Sequence, residues 1–126
     1  MRHFIAYHNA LEMGYSCAAI VEPRVQTRRP VAGLEGATVW LVAGEGERPK
    51  SYYLAAKFIA SRCEPNFVSS SKFPNLIAGS GTLFANRIPI NGTLLLAQIR
   101  QESANFIRGF YETTDAAIIA GLIALA

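Results

Sequence analysis

Four groups of side chains carry most of the recognition chemistry available to this chain: Tyr7-His8-Asn9, Trp40, Tyr52-Tyr53 and Asn105-Phe106. They combine aromatic rings with hydrogen-bonding groups. Aromatic faces stack on a nucleobase, while amides and backbone groups read its edge. The base-binding candidates are therefore Tyr7, His8, Asn9, Trp40, Asn105 and Phe106. A bland reading stands beside each. Trp40 sits inside a β run and suits a core. Tyr7-His8-Asn9 also reads as a capped turn in which Asn9 holds the following helix.

The cations suit the same chemistry. Arg24, Arg28 and Arg29 form one basic group, Arg48 and Lys50 lie in a loop, and Lys72, Arg87, Arg100 and Arg108 face only Glu102 between residues 65 and 110. Net charge is +3 and the isoelectric point about 9.1. A polyanionic partner fits this distribution, and so does a solvated basic face. Arg28, Arg29, Lys50, Arg100 and Arg108 are the phosphate-binding candidates.

Catalytic constellations fall away. No GxSxG elbow is present, and GEGERPK misses the GxxxxGK[ST] spacing of a phosphate loop, with Pro49 where a helix would have to begin. Asp115 is the sole aspartate, too few ligands for metal-assisted phosphoryl transfer. Glu45 and Glu47 read as solvated residues on a flexible tip. Cys17 and Cys63 lack metal-ligand spacing and suit small buried hydrophobes. No cofactor, no metal and no enzymatic activity are expected. A small-ligand enzyme would have to rely on His8.

The elements that position these groups centre on GATVWLVAGEGERPKSYYLAAKFIA, residues 36–60. Val39–Val42 and Tyr52–Ile59 read as paired antiparallel strands around a tip of Gly and Pro. Arg2–Tyr7 reads as a first strand, Asn9–Ile20 as a short helix or irregular segment, and Glu22–Arg29 as a short edge strand. Residues 63–73, with Pro65 and Ser69–Ser71, suit a loop or irregular edge. Asn75–Ala78 and Thr82–Pro89 read as two strands around a turn at Gly79-Ser80-Gly81. Asn91 is expected to cap a helix bearing Leu95 and Ile99, Phe106–Tyr111 to be extended, and Asp115 to cap a last helix, Ala116–Leu125, apolar nearly all round.

One domain spans the 126 residues. The expected class is α+β: a small curved, mostly antiparallel β-barrel with two or three peripheral helices. An all-β sandwich is the structural alternative. The N-terminus has no apolar signal region, and AAIIAGLIALA falls short of the ~20 residues of a membrane span. A cytoplasmic protein with no membrane partner is expected.

The segments FIAYHN…MGY, RPVAGLEGATVWLVAGEGERPKSYYLAAKFI and NFIRGF resemble the EVE-like branch of the PUA-like superfamily. They are similar in particular to the N-terminal domain of some modification-dependent HNH endonucleases. The resemblance covers most of residues 2–111. It implies a PUA-like barrel in which Tyr7, His8 and Asn9 lie near a pocket for a modified or flipped base, with Trp40 and Asn105-Phe106 as second candidates. No HNH sequence follows, so the expectation is a non-catalytic nucleic-acid reader, for DNA or RNA. The alternative is an assembly module that dimerises through its apolar C-terminal helix.

Overall fold

The computed structural model describes residues 1–20, 22–47, 49–65 and 73–126. Arg48, Ser69–Ser71 and Lys72, singled out above, lie outside the described residues. The chain forms β1 (His3–Asn9), α1 (Ala10–Met13), a 3-10 turn (Cys17–Ala19), β2 (Arg24–Thr27), β3 (Thr38–Glu45), β4 (Ser51–Pro65), β5 (Asn75–Pro89), α2 (Leu94–Glu102), β6 (Phe110–Thr113) and α3 (Ala116–Leu125).

The strands make one sheet in the order β2-β5-β4-β3-β1-β6. β1 and β3 pair in parallel, from His3 opposite Thr38 to Asn9 opposite Gly44. The other described pairings are antiparallel. The central β3 is buried along nearly its whole length because both faces of the sheet are covered. Phe4, Val39, Leu41, Phe58 and Ile77 pack on one face. Val25 of one edge strand and Phe110 of the other join the same cluster, so the sheet curls around it into a half-barrel. Ile5, Trp40, Val42 and Leu54 point to the opposite face, where α2 and α3 cover them with Leu95, Ile99, Ile118 and Leu122. Each such fully buried aliphatic side chain contributes roughly 1.5–3 kcal/mol.

The curved, mostly antiparallel α+β architecture agrees with the sequence reading, and a two-sheet sandwich does not describe it. Several local readings are corrected. Gly79-Ser80-Gly81 is not a turn but the middle of the continuous 15-residue β5. A Cβ at Gly79 would collide with the Ile59 carbonyl, and one at Gly81 with the Lys57 carbonyl. These glycines permit the close approach of two long strands. Asn91 does not cap α2. Thr93 does, its hydroxyl accepting from Leu96 N at 3.2 Å. Asn91 clamps the start of β4 instead, accepting from Tyr52 N at 2.6 Å and donating to Lys50 O at 3.2 Å.

Asp115 caps α3 as expected, accepting from Ala117 N and Ile118 N. Only one side of α3 is covered, leaving Ile123 and Leu125 exposed. Residues 106–109 are not extended, and β6 begins at Phe110. Cys17 and Cys63 are free thiols, the first buried and the second half-buried. No helix among the described residues is long and apolar enough to cross a membrane.

Candidate nucleic-acid interface

β1 ends at Asn9, whose side-chain oxygen accepts from Leu11 N at 3.1 Å and starts α1. This leaves the Asn9 amide nitrogen free to donate. The Tyr7 ring stands on the helix-covered side of β1, and its hydroxyl lies over Gly44, where a Cβ would collide with it. Phe106 stacks on Tyr7 with centroids 4.1 Å apart and planes 14° apart. Tyr52 lies 5.6 Å from Phe106 at 22°, and the Arg100 guanidinium covers Tyr52 at 5.7 Å. Tyr7 and Tyr52 are themselves 6.4 Å apart, so the three rings form a triangular cluster with Arg100 on the outer face of Tyr52.

Phe106 reaches this position through a turn of unusual backbone. Ala104, Asn105 and Phe106 all have positive φ, at 53°, 59° and 67°. The left-handed conformation costs an L-residue about 1–2 kcal/mol, and outside glycine it occurs routinely only as single residues. The turn is held at its ends. Ser103 Oγ accepts from Phe106 N at 2.9 Å, Arg108 N donates to Ser103 O at 3.1 Å, and Tyr7 N donates to Gly109 O at 2.7 Å.

Beside the ring cluster lies a cavity of about 650 Å3, within the range typical of small-ligand sites. It occupies the seam where the half-barrel stays open. Gln26, Thr27, Arg28 and Arg29 line it from the β2 edge, and Phe106 to Phe110 from the β6 edge. Tyr7 and Asn9 lie between them, with Met13 and Phe73 completing the wall. Arg29 spans the seam, donating to the Phe110 carbonyl at 2.9 Å. Arg28 lies over Phe73 at 5.4 Å. Three arginines line the cavity, and no carboxylate is among its described lining residues. Arg28, Arg29 and Arg108 have no carboxylate partner among the described residues. Such unneutralised guanidiniums in a concave site attract anions.

The structure thus gathers six of the sequence candidates around one cavity: Tyr7, Asn9, Phe106, Arg28, Arg29 and Arg108. The others lie elsewhere. His8 is buried on the opposite side of β1, its Nε2 bonded to Tyr15 O at 2.9 Å. Trp40 is fully buried beneath the helices, donating through Nε1 to His3 Nδ1 at 3.1 Å. Asn105 points outward and accepts from Arg100 Nε at 2.8 Å. Arg100 lies over Tyr52 at the outer side of the ring cluster, and Lys50 sits at the β3–β4 hairpin; neither lines the cavity.

Sequence reasoning missed Gln26, Thr27, Phe73 and Ile107, which reach the seam only through pairing distant in sequence. It also misread Glu45. Far from being solvated, Glu45 accepts from Ser16, Cys17 and Arg87. Arg87 in turn covers Tyr53 at 4.7 Å. Burial alone would raise the Glu45 pKa, yet the Ser16 and Cys17 donors and the Arg87 charge hold it below the usual carboxylate value. Burial pushes the Cys17 thiol up, away from the thiolate. This cluster ties the 3-10 turn to β3 and β5. Comparison with protein-family models, with curated proteins and with solved structures gives no significant match.

Proposed function

We propose that this protein is a non-catalytic nucleic-acid-binding module of PUA-like kind that receives a flipped or single-stranded base, modified or not, in the seam cavity. The observation that carries the reading is the cavity's composition: three arginines with no carboxylate among the described lining residues, set beside stacked aromatic rings and the Asn9 and Gln26 amides. Phosphates would lie on Arg28, Arg29 and Arg108, and the base against the aromatic wall. Extruding a base costs a few kcal/mol, which stacking and edge hydrogen bonds offset.

Fluorescence anisotropy tests this with matched labelled duplexes and single strands, with and without 5-methylcytosine, at two salt concentrations. Binding should weaken with salt, and Arg28→Ala and Arg108→Ala should each weaken all sequences alike while lowering the salt slope by about 1. Tyr7→Ala, which removes the stacking surface, should lose binding to every oligonucleotide. Absence of binding to every oligonucleotide at ~50 mM salt overturns the reading.

A second reading, self-assembly through α3, draws on the exposure of Leu94, Ile123 and Leu125 along the α2–α3 surface. Patches of this kind mark association surfaces when they are contiguous.

A further inference from the structure

We propose that Phe106 occupies, in the free protein, the stacking position that a ligand base takes on Tyr7, and that the Ser103–Gly109 turn is the arm that withdraws it. The inference rests on the base-binding reading of the seam cavity. Two independent observations converge on it. The first is ring geometry. Phe106 lies parallel to Tyr7 at 4.1 Å, only 9% exposed, on the wall of the cavity. A second planar ring cannot enter on that face of Tyr7 while Phe106 remains there.

The second is the turn itself. Three successive non-glycine residues, Ala104 to Phe106, are held left-handed. Strain of this kind persists where the surroundings impose it, and it accumulates at ligand clamps. Ile107, next in the chain, is left 85% exposed, so the turn keeps one large apolar side chain in water in order to place its neighbour. Both ends of the turn are anchored, at buried Ser103 and at the Gly109 carbonyl bonded to Tyr7 N, whereas Asn105, Ile107 and Arg108 between them face solvent. Outward relaxation of the turn leaves the Gly109 anchor on β1 in place. It must release the bonds that tie the turn to the end of α2, Asn105 N to Arg100 O at 2.6 Å and Arg100 Nε to Asn105 Oδ1 at 2.8 Å, together with Phe106 N to Ser103 Oγ. Arg108 sits two residues beyond Phe106 on the same arm, placed to hold the phosphate of the nucleotide whose base replaces the phenyl ring.

Ligand binding to such a protein is weakened by the fraction of molecules in the closed state, and biasing that equilibrium changes affinity without touching the ligand. The test titrates a labelled single-stranded oligonucleotide into wild type, Phe106→Leu, Ala104→Gly and Tyr7→Ala, with a melting curve for each. Leucine keeps the apolar volume and removes the competing ring face, so Phe106→Leu should tighten binding by roughly 2- to 10-fold, the equivalent of one aromatic pair. Ala104→Gly removes strain from the closed turn, so it should raise the melting temperature and weaken binding severalfold. Tyr7→Ala should lose binding.

If wild type binds and Phe106→Leu binds equally or more weakly, Phe106 is a wall of the site and the proposal falls, whereas base binding stands. If neither wild type nor Phe106→Leu binds, both fall. Should Phe106→Leu melt below the assay temperature, Ala104→Gly decides alone, and unchanged or tighter binding by it overturns the proposal.

Discussion

Trp40 and Tyr7 project to the same helix-covered face of the sheet, yet one is sealed in the core and the other reaches the wall of the cavity. The Trp40 indole is enclosed, and its N–H needs an acceptor, which His3 Nδ1 supplies. That bond requires an unprotonated Nδ1. Burial lowers the His3 pKa from its ordinary 6.5, with further help from the N-terminal charge and from Lys57, whose ammonium lies over the Trp40 ring at 5.0 Å. A folded-state pKa below the unfolded one means that the unfolded chain binds more protons. The stabilisation is therefore complete above pH 6.5 and is lost as pH falls through the folded value. The melting temperature of the wild type should decline as pH drops below 6.5. In His3→Asn, whose side-chain oxygen can accept from Trp40 without titrating, the decline over that window should flatten. Equal slopes in thermal scans of the two proteins would show that His3 does not couple to folding.

At the scale of elements, local signals were legible where one residue decides the structure. The β3–β4 hairpin follows from two apolar runs around Gly and Pro, and Asp115 was readable as a cap because it directly precedes the uninterrupted apolar run of α3. Where two residues offer the same chemistry, the reading failed. Asn91 and Thr93 both precede α2, and the Asn91 amide is drawn to the backbone of β4. Thr93→Ala should therefore cost about 1 kcal/mol, seen as a lower denaturant midpoint at unchanged slope. Asn91→Ala should leave α2 intact by circular dichroism, and an equal loss of helix in both variants would contradict this assignment. Glycine is ambiguous for another reason: it marks both turns and close strand crossings, and Gly79 and Gly81 serve the second purpose. The left-handed turn at Ala104–Phe106 had almost no signal, since Ala and Phe avoid that conformation and Asn105 alone is a type that adopts it readily.

For the molecule as a whole, the curled sheet was readable as a class, whereas its open seam was not. The seam depends on β2 pairing with the first residues of β5, and no local pattern specifies that partnership. The apolar composition of α3 was equally plain, but not which side of it the sheet would leave uncovered. If that side joins two copies, sedimentation velocity at micromolar concentration should find a dimer in the wild type, and Ile123→Lys should return it to the monomer while leaving the melting temperature nearly unchanged. A monomeric wild type would remove the assembly reading and leave the exposed face as ordinary surface.

The Arg29–Phe110 bridge joins residues 81 positions apart in the chain. Between them lie β3, β4, β5 and α2, all of which must be in place before the two cavity walls can face each other. Closing so long a stretch is entropically costly and slow, and it comes after the local hairpins have formed. The seam cavity is therefore among the last features to appear during folding. A chain emerging from a ribosome would have its core hairpin well before the two walls of the seam could meet.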